Sequence, residues 1–320
     1  MREKPVRRTS AHTSLSGNFI LKSGFTLIEL SIVLVIIGLI IGGILVGADL
    51  INAAAIRSQI SQIEKYNTAV NNFRNKYGYL PGDIPNPFAT EFGFISRGTL
   101  SGTGDGNGVI EGHIGSPGTE CGFCGGDGEA TTFWVDLSTA GLIEGGFNTA
   151  NPSSNPTPPV TGSNLALYYP TAKIGAGNYV NVWSGGTSLG WNTVTETGNN
   201  GVNYYSVSAI TQLGTGGAAY PIGIANPGLT VVQAYNIDKK VDDGFPQSGS
   251  VTAFYLDFAG SPYTPIWAGS GNQTGSPYTT ATSSSSTTCF DNGGVAGIMQ
   301  YSMEQNGGSG VNCALSFRFQ

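Results

Sequence analysis

The sequence predicts an α+β chain: a long N-terminal α-helix, transmembrane and then amphipathic, packed on an antiparallel β-sheet globular domain with long loops. Three observations predict it. Residues 25–47 form an apolar run whose only charge is Glu29. Past that run, Ile56, Ile60, Ile63, Tyr66, Val70, Phe73 and Tyr77 recur at steps of three and four, the period of a helix with one apolar face. Beyond residue 78, short apolar or alternating runs lie between stretches rich in Gly, Pro, Ser and Thr, the pattern of antiparallel strands.

Each element follows in order. The first run covers roughly 35 Å as a helix, enough to cross a hydrocarbon core of about 30 Å. A carboxylate at the centre of such a span costs roughly 2.5–3.5 kcal/mol, and less near its end. A lone acid kept at that cost points to a use. Around the stripe that follows, Arg57, Gln59, Glu64, Asn67, Asn71 and Arg74 fall mostly on other faces. The span and the stripe are therefore expected to form one helix of about 53 residues from Phe25, stopped by Gly78 and Pro81. Residues 78–128 are rich in Gly, Pro and Asp and read as a long excursion. Residues 129–143 place Phe133, Leu137 and Ala140 at helical spacing before Gly145 and Gly146, which predicts a short helix. Residues 151–162 read as a Pro/Ser loop. Strands are expected at 179–183, 204–210, 251–258 and 314–319. Residues 229–241 fit either class, with Val232, Tyr235 and Lys239 suiting a helix. Residues 270–288 read as an exposed Ser/Thr/Gly loop held near its end by Cys289.

Gly24-Phe25-Thr26-Leu27-Ile28-Glu29-Leu30, with the apolar stretch after it, resembles the N-terminal signature of type IV pilins and type II secretion pseudopilins. The resemblance implies cleavage between Gly24 and Phe25 by a membrane aspartic peptidase, then N-methylation of Phe25. It also implies that Glu29 is the glutamate of the motif. Gly38 sits where many pilins carry a helix-loosening glycine, whereas Val46 stands where many carry a proline. Further similarity, at Tyr79-Leu80-Pro81-Gly82-Asp83, at 133–143 and at 234–244, is to a group of large pilin-like proteins from Gram-negative bacteria; it favours a helix at 229–241. On this resemblance the chain divides into a prepilin leader (1–24), a transmembrane or filament-core helix (25–47), the amphipathic half of that helix (48–78) and an exported globular domain (79–320). The implied partners are further copies, other pilin-like subunits, the prepilin peptidase/methyltransferase, an inner-membrane assembly platform and the lipid bilayer. Physical chemistry supplies a reason for Glu29. A cut chain begins with a charged secondary amine, and pairing it with a neighbour's Glu29 in apolar surroundings relieves the desolvation of both.

Charge and cysteines bound the rest. The leader holds Arg2, Lys4, Arg7, Arg8 and Lys22 against Glu3, which keeps that end cytoplasmic and exports the C-terminal domain to the periplasm. From there, the resemblance implies, the domain passes to a pilus or pseudopilus and toward the cell surface. Without the leader, nine basic and nineteen acidic residues remain, a formal charge of −10. That balance argues against nucleic-acid binding. Cys121, Cys124, Cys289 and Cys313 all lie in the exported part, and an even count there favours two disulfides among three connectivities. Proximity suggests Cys121–Cys124 and Cys289–Cys313; the second would close a C-terminal loop of the kind seen in many pilins. Cys121-Gly-Phe-Cys124 also has redox or zinc spacing, with His113 the only nearby imidazole.

Asp238, Asp242 and Asp243, beside Gly244, could ligate Ca²⁺, or simply end a helix beside a glycine turn with Lys239 and Lys240 balancing them. Gly104-Asp105-Gly106-Asn107-Gly108, with Glu111, is oxygen-rich but lacks the twelve-residue calcium pattern and reads as a glycine turn. No cofactor other than that calcium is expected. No GxSxG, HExxH, Walker or dinucleotide motif occurs, and the sequence predicts no enzyme. The expected function is a structural subunit of a type IV pilus or secretion pseudopilus. The alternative is a membrane-anchored adhesin or glycan-binding protein, with Trp134, Trp183, Trp191 and Trp267 as candidate sugar-facing rings.

Overall fold

A single helix, α1, runs unbroken over Leu27–Tyr77. It begins two residues past Phe25 because Thr26 caps it, and it ends where the sequence places the stop. Gly78 takes φ +80° and its N–H closes on the Arg74 carbonyl at 2.8 Å, a left-handed helix end that glycine adopts without strain. The structure, a computed structural model, describes residues 25–98, 103–114, 119–122, 126–152, 156, 158–185, 201–214, 223–257, 264–268, 288–293, 299–304 and 306–319. The chain divides into two units between Leu50 and Ile51. In the first, no residue of 25–50 is buried. This stretch belongs to the one described helix long and apolar enough to cross a membrane.

The second unit holds the sheets. In chain order its further elements are α2 (Phe88–Glu91), β1 (Gly112–Ile114), β2 (Thr119–Cys121), α3 (Gly128–Thr139) and β3 (Val160–Thr161). A 3₁₀ turn (Gly162–Leu167), β4 (Tyr179–Ser184), β5 (Asn203–Leu213), β6 (Gly223–Asn226) and α4 (Val231–Val241) come next. The chain then forms β7 (Val251–Thr252), β8 (Phe254–Asp257), β9 (Thr264–Trp267), β10 (Phe290–Asp291), β11 (Gln300–Tyr301) and β12 (Leu315–Arg318). Among the described residues the main sheet is antiparallel, in the order β3-β5-β12-β7, with β4 and β6 also paired to β5. The eleven-residue β5 is its hub. One half pairs β4 on one side (Val207 opposite Val180) and β12 on the other (Val207 opposite Leu315). The other half takes β3 and β6, with a bulge between Ile210 and Gln212.

Side chains alternate across a strand, so Tyr204 and Tyr205 serve opposite faces. Tyr205 meets the helical layer: its ring lies 6.1 Å from Tyr66 of α1, 6.2 Å from Phe133 of α3 and 4.2 Å from Phe319. Tyr204 stacks on Trp183 at 4.6 Å, and Trp183 meets Phe254 of β8, which packs on Trp267 of β9. With both faces covered, Asn203–Ser208 are buried one after another, which explains why β5 reads as a run rather than a clean alternation.

Three expectations are corrected here. Residues 78–128 are not one irregular excursion, since they contain α2 and the β1–β2 hairpin. The strand expected at 251–258 is two, broken at Ala253, whose N–H bonds the Pro246 carbonyl; Phe258 lies outside the described residues. Gln59, placed on an outer face of α1, is fully buried, and Gln62 is largely so. Within residues 229–241, Val231–Val241 form a helix, started by the reciprocal capping box of Thr230 and Gln233. The 270–288 loop lies outside the described residues apart from Thr288.

Candidate assembly site

The N-terminal turn of α1 is built by Thr26 and Glu29. Thr26 precedes the first helical residue, and its Oγ1 accepts the Glu29 N–H at 3.3 Å. Glu29 Oε2 in turn accepts the Thr26 N–H and the Thr26 hydroxyl, both at 2.8 Å. The exchange satisfies N–H groups that a helix start leaves without partners, in the capping-box manner. Glu29 therefore has an intrachain partner, whereas the sequence reading gave it only an intermolecular one. Thr26 is the residue that reading passed over; the signal was present, since Thr-x-x-Glu before an apolar run is the capping-box pattern. Glu29 Oε1 makes no hydrogen bond among the described residues. Phe25, beside this turn, is 85 % exposed. Gly24, the other side of the expected cut, lies outside the described residues.

Of the four cysteines, Cys289 and Cys313 form a disulfide with Cα atoms 4.9 Å apart. It ties the β10–β11 hairpin to the segment before β12, where Cys313 bridges Leu229 at the start of α4. Cys124 lies outside the described residues, so the expected Cys121–Cys124 pair does too.

The Asp238 group sits at the C-terminal end of α4. Asp238, Asp242 and Asp243 bring carboxylate oxygens within 4.8 Å of one another, and each braces local structure. Asp238, buried, accepts the Tyr301 hydroxyl at 2.7 Å and the Gly244 N–H at 3.1 Å. Asp242 accepts the N–H groups of Ser250 and Val251. Asp243 accepts the Phe245 N–H at 2.8 Å and the Ser248 hydroxyl at 2.6 Å. Burial pushes the Asp238 carboxyl up to about 7, against the Tyr301 and Gly244 hydrogen bonds and with help from the charges of Asp243 and Asp242.

A second carboxylate group joins distant parts of the chain. Asp83, Asp105 and Glu129 also place oxygens within 4.8 Å of one another. Asp83 accepts the N–H groups of Gly106 and Gly108 at 2.7 and 2.8 Å. Glu129 accepts those of Gly104 and Glu111 at 2.7 and 2.9 Å. Two buried acids thus clasp the glycine turn at 104–108. Burial lifts Asp83 to about 6, with help from the charge of Asp105, and lifts Glu129 well above its usual range, with help from the charges of Asp83 and Asp105. Local sequence could show the turn but not the acids, which lie some twenty residues away on either side.

The rings considered for sugar contact are mostly committed elsewhere. Trp134, Trp183 and Trp267 are buried in the core, and Trp191 lies outside the described residues. A groove of about 830 Å³ runs beside α1, with Lys65, Glu144 and Lys173 among its lining residues. Its rings, Tyr66, Phe147 and Tyr169, are themselves buried, so among the described residues this groove offers a sugar no open aromatic face to stack upon.

No curated protein and no solved structure matches the chain. Residues 21–45 match the prokaryotic N-terminal methylation motif. That stretch contains Phe25, Thr26 and Glu29 together with most of the exposed apolar helix. The chain carries, at the start of α1, the N-terminal signature of type IV pilins and pseudopilins.

Proposed function

We propose that this chain is a structural subunit of a type IV pilus or a type II secretion pseudopilus. In this reading a prepilin peptidase cuts between Gly24 and Phe25, Phe25 is N-methylated, and the protein waits in the inner membrane with residues 79–320 in the periplasm. Assembly then moves residues 25–50 from lipid into a bundle of like helices. The observation that carries the proposal is that stretch itself, a helix start that matches the methylation motif and buries none of its residues. Leu27, Leu39 and Ile51 are each more than two-thirds exposed, and apolar area on that scale is covered by lipid or by protein. Glu29 Oε1 is the acceptor for the Phe25 amine of a neighbouring subunit, while Oε2 keeps the helix cap.

Mass spectrometry of the N-terminus from cells, together with a search for the protein in sheared fibres, tests this. The expected mature chain begins at methylated Phe25 and enters the fibre fraction. A chain that still begins at Met1, or that starts beyond Val46, overturns the proposal, and an unprocessed anchor would favour the adhesin alternative. For calcium, the hydrogen bonds already made by Asp238, Asp242 and Asp243 support the bracing role. The expected melting midpoint of the protein is therefore the same with chelator as with calcium; a midpoint raised by calcium would restore the ion.

A further inference from the structure

Gln59 and Gln62 stand on the buried face of α1 among Ile56, Ile63, Tyr66 and Val70, where an apolar side chain would be expected. Both reach the tight hairpin that leads into β4, closed by the Thr171–Tyr179 bridge and by the Ala172 N–H on the Asn178 carbonyl. Gln59 Oε1 accepts the Ile174 N–H at 3.0 Å and Gln62 Oε1 accepts the Lys173 N–H at 2.9 Å. Gln62 Nε2 donates to the Thr171 carbonyl and to the Tyr66 hydroxyl, both at 2.9 Å. Gln59 Nε2 is buried with no partner among the described residues, so the arrangement is not optimised for stability.

The apolar stripe alone leaves the axial position of α1 ambiguous. A slide of one turn, about 5.4 Å, brings Ile60 to the place of Ile56, Tyr66 to that of Ile63, Val70 to that of Tyr66, Phe73 to that of Val70 and Tyr77 to that of Phe73. Every exchange is apolar or aromatic for the same, and burial is not directional. The slide brings Gln62 near the place of Gln59, which could keep the Ile174 contact, but the contacts to Lys173 and Thr171 do not survive it, because Lys65 or Tyr66 would then face them. A buried polar side chain that fixes register at a cost in stability is a well-attested device in packed helices.

We propose that Gln59 and Gln62 are a register lock, holding α1 at one axial height against the 170–180 hairpin. Every residue of the lock lies within 51–320, and none of it rests on the assembly reading above.

The test needs no fibre, so it stands or falls apart from that reading. Spin labels at Glu64→Cys and Lys240→Cys, both exposed positions, report the distance from α1 to α4 in the detergent-extracted full-length chain. The otherwise unchanged protein is expected to give one narrow distance. The Gln59→Leu/Gln62→Leu variant is expected to give a broadened or second population with its circular dichroism retained. A single unchanged distance in the folded double variant overturns the lock. Should that variant not fold, hydrogen exchange on the wild-type protein decides. The Lys173 and Ile174 amides are expected to be protected like those of α1, and exchange as fast as in an open turn overturns the proposal.

Discussion

In the proposed assembly Glu29 serves two partners, Thr26 and the amine of a neighbouring subunit. The cap needs an acceptor at Glu29, whereas pairing with an amine needs a charge, and glutamine supplies only the first. Glu29→Gln is therefore expected to insert normally and keep the helix start, yet to reach sheared fibres in much lower yield. Glu29→Ala should lose both the cap and the fibre. Fibre yield of Glu29→Gln equal to wild type would show that the charge is idle. Asp238 offers a second test at this scale. Its carboxyl is raised from 3.8 to about 7 by burial, so the folded chain holds a proton there that the unfolded chain has released. Stability from this group is full below about pH 4 and declines as pH rises toward 7. The melting temperature of the wild type is expected to fall between about pH 5 and pH 7.5. Asp238→Asn should remove part of that fall, and the remainder belongs to Asp83, Glu129 and Asp136, which are raised in the same direction. An identical pH profile in wild type and variant would contradict the assignment.

Elements whose stability is local were legible in the sequence. α1 follows from its apolar run and its three-and-four stripe, and Gly78 marks its end. β4, β5 and β12 follow from short runs of Val, Tyr, Ile and Phe. What escaped depends on pairing across distance. Gln59 looks like a surface residue until the hairpin at 171–179 supplies amides for it. The glycine turn at 104–108 gives no local sign of Asp83 and Glu129. α4 was ambiguous because its apolar residues fit two periods, and the Thr230–Gln233 cap decides it. The candidate site was legible as to Phe25 and Glu29 but not as to Thr26, whose part is a hydrogen bond rather than a pattern of polarity. Disulfide pairing was legible by proximity for Cys289 and Cys313. That bridge closes a 24-residue separation, and on the loop-entropy estimate it contributes roughly 3 kcal/mol. Cys289→Ser is expected to lower the midpoint of denaturant unfolding accordingly. An unchanged midpoint would mean that α4 and the β10–β11 hairpin hold the segment without it.

For the molecule as a whole, the two units have opposite relations to water. Residues 25–50 expose apolar side chains and wait for cover, whereas the second unit closes its sheet between a helical layer and the β8–β9 pair. The order of strands along the chain adds a temporal constraint. β12, at Leu315–Arg318, lies between β5 and β7 rather than at a margin. Until residue 318 has been made, β5 has an empty slot beside Tyr204, Tyr205, Ser206 and Val207. The membrane-compatible helix leaves the ribosome more than 240 residues earlier. On the proposed export, an emerging polypeptide is tethered to the bilayer long before its sheet can be completed, and during that interval its unpaired backbone needs a guardian on the far side.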